Sequence, residues 1–582
     1  MSKLTPLSME GADNDDASRR SFLKTTGTAA VVAASVGTTA GCMSNQPEDG
    51  EDGDDGEDGN DGSDGEDGGD GGSSGGTLRY GRGAHSSTLD PQNSTSGEVA
   101  KVTNQIYDGL LGFEPGGSAL VESLATDWEM DGDSVTLTLR QDAQFADGTE
   151  FTAEDFIATY RRFVDEDYEY NFPEASAYGS LMLGNWIDSV EADGDYALNI
   201  TLNNTYAPFL RNLAMFATAV LPKDGIESGF DFNADANGTG PFQLDQLDDA
   251  NGRIRLVPNE NYWGEGPHVD ELLFLEYGEP NTRAQALAEG ETEIVDTLNP
   301  SAISIVEGAG NASVVSQQGI NIGYMGFNLS RVEEFRDVRV RQAISHAINT
   351  EAIVNEVYSG IADQASQPCP PAITFGHNDD LSPYEYDTDK AQSLLEEAGY
   401  GDGFSFTLTT FQNSRGYNPA PTSTAETIRT NLSDVGIDVT IDDRPFADFL
   451  EYTGAGNHDA LTLGWYTDNA DPDNFYYALL HPQVEPPEGQ DYIDSFDVEG
   501  YNTSNRTAWA NTEFMDLVEQ GQQTAAQDER QELYYQAAEI AHEQAPWVYI
   551  DYAQEIRGVH DKVSNYTVSA ISGPHLHLVS VE

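Results

Sequence analysis

Between Pro47 and Gly76 the chain holds no residue that can seed a core: the run is Gly, Asp, Glu and Ser, with one Asn and one Pro. Low hydrophobicity and charge of one sign keep such a segment unfolded and self-repelling. It cuts the 582-residue chain into a short leader and a long body, Thr77 to Glu582. A body of that size exceeds what one hydrophobic core serves, so two or more domains are expected.

The acidity is not confined to this tether. Asp+Glu 101 against Lys+Arg 27 gives −74; the run Glu48 to Asp70 accounts for −13 of it and leaves −61 on the rest. Self-repulsion on that scale works against a compact state in dilute buffer. At about 1 M salt the Debye length falls to ~3 Å and the repulsion is screened away. The composition therefore points to a protein of very salty water, as in a halophilic archaeon. No Lys/Arg cluster exists to neutralise phosphates, which argues against nucleic-acid or anionic-membrane binding.

Residues 1–41 read as an export signal. The twin arginines Arg19 and Arg20 in SRRSFLK precede a short, Gly/Thr/Ala-rich apolar segment, the pattern that exports an already folded chain. The segment is too short and too weakly apolar for a membrane span. Thr39-Ala40-Gly41-Cys42 resembles a lipobox, in which Cys42 is acylated and becomes the new N-terminus. The acidic lead Met1 to Ala17 departs from the usual basic start and points to a start further along. Residues 42–76 then form a lipid-anchored tether, and the body is expected outside the cell, held at the outer face of the membrane. The other cysteine, Cys369, lacks an intramolecular partner and is expected as a buried, inert thiol.

From Thr77 onward strand and helix signals alternate. SVTLTLR and YALNITL have period-two patterning, and RIRLV and VDELLFLEY also read as strands. Thr152 and Asp155 form a capping-box start for a helix through DFIATYRRFV. Asp337 opens another, Gly399 suits the left-handed end of a third, and Gly436 separates a helix from a strand. DERQELYYQAAEIAHEQ reads as a last long helix. The body is mixed α/β, without an internal repeat of 20–50 residues.

The order of motifs carries more. TLDPQNSTSGEVAKVTNQIYDGLLGF, LATDWEM, FADGTEFTAEDF, NGTGPFQL, NENYWGEGPHVDELLF, MGFNLSR, DVRVRQAISHAIN, AQSLLEEAGY and GWYTDNADPDNF, in this order, resemble the solute-binding proteins of peptide/nickel ABC importers, family 5. SRGYNP, Ser414 to Pro419, about fifty residues before GWYTDNADPDNF, is similar to the dipeptide-binding branch. The resemblance implies an α/β, two-lobe, periplasmic-binding-protein-like fold of the class II type with the ligand cleft between lobes. Lobe I is expected at about 77–322 with a return at 548–582 and an inserted subdomain near 113–235; lobe II is expected at 323–547. It also implies a monomer that hands its ligand to an ABC permease and ATPase, with neither catalysis nor a cofactor.

A dipeptide is a zwitterion, so holding it away from water needs an acid for the ammonium and a base for the carboxylate. Arginine suits the second task because its planar fork takes a carboxylate bidentately. By resemblance, Asp468 takes the α-ammonium and Arg415 the C-terminal carboxylate. Tyr417 and Trp465 line the pocket or else sit in the lobe core. The backbone at Leu463, Gly464 and Trp465 would pair with an extended ligand as an added strand. Asp471 and Asp473, in a run rich in turn formers, are assigned to turn and capping work.

Other readings stay open. The same family carries nickel chelates, haem or oligosaccharides. A hydrolase is disfavoured: no GxSxG elbow, Walker A loop or HExxH helix is present. His575 and His577 would share one face of a strand, a possible metal or haem contact, but with no third ligand in sight a surface strand is expected. Asn-x-Ser/Thr sequons, among them Asn93, Asn237 and Asn565, could carry glycans.

Overall fold

The computed structural model describes residues 75–582 except Asp468 and Ser572. The expected export signal with Arg19 and Arg20, the expected acylation site Cys42 and the expected tether lie outside the described residues. The chain enters on β1 (Thr77–Arg82) and then leaves the main sheet for four antiparallel strands, β2 (Ala125–Asp131), β3 (Ser134–Leu139), β4 (Ile187–Ala192) and β5 (Ala197–Leu202). Their order is β2-β3-β5-β4, a separate sheet that forms the insert. β3 alternates exposed and buried residues along its whole length, as its SVTLTL pattern requires of a sheet with one covered face. Helix α1 (Ala153–Val164) packs beside β4 of the same sheet. Its capping box is formed: Thr152 N and Oγ1 both donate to Asp155 Oδ2, at 2.8 and 3.0 Å. The insert closes with a single helical turn, α2 (Phe209–Asn212).

The chain returns through β6 (Phe242–Asp248), β7 (Arg253–Pro258), β8 (Glu271–Glu276) and β9 (Ile294–Val295). It then crosses to the second lobe by β10 (Ala312–Gln318) and β11 (Asn321–Phe327), with Gly319 and Ile320 between them. The second lobe adds β12 (Ala362–Gln364), β13 (Ser405–Phe411), β14 (Asp438–Arg444) and β15 (Ala460–Tyr466), followed by α3 (Asp473–Leu480) and α4 (Gln527–Gln544). The left-handed glycines Gly399 (φ 91°) and Gly436 (φ 82°) stand at the two helix ends where the sequence placed them.

One long strand, β16 (Trp547–His560), joins the halves. Its first part pairs with β11 and β12, and its second part, Gln554 onward, pairs with β10 and β9. The resulting path is β14-β13-β15-β11-β16-β9-β1-β8-β7-β6, with β10 and β12 added on β16. At the changeover a side chain takes the place of the ladder. Buried Asn321 donates to the Ala553 carbonyl at 2.9 Å and accepts from its N–H at 2.8 Å. Gly319 lies so close to the same carbonyl that a Cβ there would collide with it. Both crossing strands thus pass between lobes at one narrow place with its backbone polar groups satisfied, as a buried segment requires.

Candidate functional site

The candidate site begins where β15 runs out. β15 pairs with β11 along its length, Ala460↔Phe327 to Tyr466↔Asn321. On its other edge β13 pairs with Ala460 and Leu461 only. From Leu463 to Trp465 that edge has no strand partner among the described residues, so an extended peptide could add there. Gly464 faces Gly323 across the pair, and the Tyr417 ring lies over Gly464 so closely that a Cβ at 464 would collide with it. Two glycines therefore make a trough on the sheet and Tyr417 fills it, 7% exposed.

Tyr417 and Arg415 share a tight turn in which residues 415 and 418 exchange both backbone hydrogen bonds, at 2.9 and 3.0 Å. The guanidinium of Arg415 lies 3.8 Å from the centre of the Phe446 ring. Its Nε is buried without a partner, and among the described residues no carboxylate lies within ion-pair reach. Arg444 nearby is spent on Asp442 at 2.7 Å. Of the remaining expected residues, Leu463 is buried and Trp465 is half-buried, its Nε1 donating to Asn474 Oδ1 at 2.7 Å. Asp468 lies outside the described residues. Tyr466, which sequence reasoning passed over, is 38% exposed at the mouth of the trough, its ring 5.9 Å from that of Tyr417.

The turn after β15 is anchored from two sides. Asp471 accepts from both Nη atoms of Arg530 on α4, at 2.7 and 3.0 Å, and from the N–H of residue 473 at 3.0 Å. Its carboxylate is fully buried. Asp471 is thus one half of a buried, bidentate ion pair as well as the turn residue it was taken for. Asp473 Oδ2 accepts from Gln522 at 3.1 Å and from the Tyr206 hydroxyl of the insert at 3.4 Å. Burial, and next the neighbouring Asp471, push its pKa up to about 7. From the insert, Arg211 donates through Nε to the Asn469 carbonyl at 3.0 Å, and Asn469 Nδ2 donates to Asn212 Oδ1 at 2.9 Å. Ala470, between these anchors, has φ 51°, a left-handed conformation that a non-glycine residue keeps only where its surroundings enforce it.

A third buried acid lies beneath Tyr417. Asp551 on β16 is fully buried, and neither carboxylate oxygen has a hydrogen-bond partner. It occupies the space left by Gly323, where the Tyr417 carbonyl also points. Burial alone raises its pKa well above the ordinary carboxylate range. None of Arg530, Arg211, Asn212 or Asp551 carries a local signal; each is joined to the site only by folding.

The histidines differ from expectation. His575 and His577 lie in irregular chain rather than on a surface strand, their rings 6.2 Å apart and half-buried beside Tyr262. Burial lowers both to about 4, so they are neutral. Among the described residues no group of three His, Cys, Asp or Glu side chains could hold a metal ion. Cys369 is fully buried, and its thiol is pushed up by burial. No helix among the described residues is long and apolar enough to cross a membrane.

Comparison with known proteins agrees with this architecture. Residues 119–486 match the model of the bacterial extracellular solute-binding proteins, family 5. The dipeptide-binding protein of Escherichia coli K12 is 30% identical over 524 residues, covering 87% of this chain and 95% of the relative. Heme-binding protein A of Haemophilus influenzae is 30% identical over 498 residues, 82% of this chain and 87% of the relative. Among solved structures, the ABC transporter-associated periplasmic binding protein DppA of Helicobacter pylori, in complex with the peptide STSA, is 31% identical. It aligns with a TM-score of 0.65 over 87% of this chain and 98% of that one. HbpA2 of Haemophilus parasuis is 27% identical, with a TM-score of 0.79 over 87% of this chain and all of that one. The mixed α/β fold is therefore shared with two-lobe periplasmic binding proteins, and the chain belongs to the extracellular solute-binding proteins of family 5.

Proposed function

We propose that the protein captures dipeptides or short peptides outside the cell and delivers them to an ABC permease. Arg415 takes the ligand carboxylate, Asp468 the ammonium, and the free edge at Leu463, Gly464 and Trp465 pairs with the backbone, under Tyr417. The observation that carries this reading is Arg415 itself. In a chain with 101 acidic residues, its guanidinium has no acidic partner among the described residues and stands beside an unpaired strand edge. The similarity to dipeptide-binding relatives supports this ligand class.

Salt sets a further condition. An exposed ion pair contributes about 1 kcal/mol or less, and concentrated salt screens even that. The clamp works only when the lobes, taken as 77–322 with 548–582 and 323–547, close at the crossing strands and exclude bulk water. In this reading the protein is exported by its twin-arginine signal, anchored through Cys42, monomeric and adapted to high salt. It carries out no catalysis and holds no resident cofactor.

Calorimetry in concentrated potassium salt, with a free amino acid, a dipeptide, a tripeptide and an N-acetylated dipeptide, tests the reading. Tight binding of the free dipeptide, lost in both Asp468→Asn and Arg415→Ala, is expected. Equal binding of the acetylated form, or unchanged affinity in both variants, would sink it. A second reading, haem as ligand, has the similarity to heme-binding protein A behind it. A haem absorption band on the protein titrated with haemin would favour that alternative.

A further inference from the structure

We infer that the inserted subdomain is a positioning element for the ammonium end of the ligand site, with Arg211 and Asn212 fixing the turn that carries Asp468. The inference rests on the peptide reading above and gives the insert a part in it.

The chain that follows β15 is held at Asn469 from the insert and at Asp471 from the second lobe, with the insert's Tyr206 also reaching Asp473. The hold on Asp471 comes from Arg530 on α4. The hold on Asn469 lands on the residue next to Asp468. Arg211 reaches the Asn469 carbonyl through Nε and the Ser118 carbonyl through Nη2. Asn212 takes the Asn469 side-chain amide and gives its own to the Met182 carbonyl at 3.0 Å. Arg211, Asn212 and Asn469 are 3%, 1% and 4% exposed. No carboxylate among the described residues forms an ion pair with Arg211. Its cation is spent on carbonyls from both sides of the junction, between Phe113 of the insert and Phe375 of the second lobe, 5.3 and 5.0 Å away.

A planar guanidinium with its donors in a fixed fork sets direction as well as proximity. Buried as it is, the contact escapes the screening that weakens surface charge in concentrated salt. The left-handed Ala470 has the same implication, since it is held between an Asn469 fixed by the insert and an Asp471 fixed by Arg530. The interface has other bonds, Ala207 N to the Gln522 carbonyl at 2.7 Å and Ser118 Oγ to the Ala372 carbonyl at 2.6 Å. Loss of one contact at Asn469 therefore leaves the insert docked while freeing the turn.

The test uses the full chain with Asn212→Ala and Arg211→Met, and two readouts. Amide hydrogen exchange should speed up across residues 467–474 in both variants and stay unchanged in β16. Affinity for alanyl-alanine should fall about tenfold, the size expected for one buried hydrogen bond to a charged or aligned group, while affinity for N-acetyl-alanyl-alanine stays put. Unaltered exchange in the turn, or an equal loss for both ligands, would overturn the inference. If the parent protein itself does not distinguish the two ligands, the ammonium clamp fails and this role falls with it, whatever the exchange data show of the turn. Should Arg211→Met not fold, Asn212→Ala, which removes a single amide, carries both readouts.

Discussion

Asp471 and Asp551 are both fully buried, one in the turn after β15 and one on the crossing strand β16, yet the fold serves them oppositely. Asp471 receives two Nη donors and a backbone N–H. Asp551 receives none, and its ionised form is left without support. Charge in a dry interior is tolerable only when a cation or several donors accompany it; otherwise the group keeps its proton. The turn beside the candidate clamp is thus built around a fixed ion pair, and the crossing strand around an acid that stays neutral. In the proposed reading a clamp needs rigid charge to face a ligand, whereas a charge on the crossing strand would be left buried without a partner.

Breaking the paired acid should have the largest effect. Arg530→Met strands a buried carboxylate and should cost about 3–5 kcal/mol in denaturant unfolding at fixed salt, with much of the loss recovered in Arg530→Met/Asp471→Asn. Removing the unpaired acid should do the reverse. The native state holds the Asp551 proton that the unfolded chain releases above about pH 4, so wild-type stability is eroded as pH rises. Asp551→Asn should therefore be more stable by about 1–3 kcal/mol at pH 7. The gain should vanish towards pH 4 in a thermal-melt series.

Asp473 sharpens the contrast, because it lies between the two extremes. Its pKa of about 7 confines the stability loss to the window from about pH 4 to about pH 7. Asp473→Asn should gain about 1–2 kcal/mol, a gain that levels off above pH 7, where that of Asp551→Asn is still growing. The smallest effect belongs to the surface. Glu426 and Arg429 pair with 47% of each side chain exposed. Glu426→Gln should shift unfolding by about 0.3 kcal/mol in dilute buffer and by nothing measurable in concentrated salt. A large effect there would mean that ion-pair number, rather than burial, governs this protein.

Much of the scaffold was legible because it is written in neighbouring residues. Thr152 and Asp155 are three apart and form their box; Gly399 and Gly436 take the left-handed turns that end helices; SVTLTL alternates in and out. The apolar stretch ending at Tyr466 is a strand, and polar turn formers follow it. The site was legible only in part. Arg415 could be singled out by resemblance, but that it lacks an acidic partner among the described residues is a fact of folding. Two expectations were revised by packing: Asp471 serves a buried ion pair as well as a turn, and His575 and His577 lie half-buried in irregular chain rather than on a surface strand.

By itself, then, the sequence determined the acidic, Gly-rich composition of residues 47–76, the α/β alternation and the surplus of acidic over basic residues. These depend on local composition and on spacings of a few residues, which the chain carries wherever it goes. Tertiary structure alone decided which acid meets a cation, and that Gly323 and Gly464 make a trough for Tyr417. It also decided that Asn321 splices the crossing strands and that Arg211 reaches Asn469 across 258 positions. Among 101 acids no pairing can be inferred by counting, because the free energy of a buried charge depends on what the fold sets within about 4 Å of it.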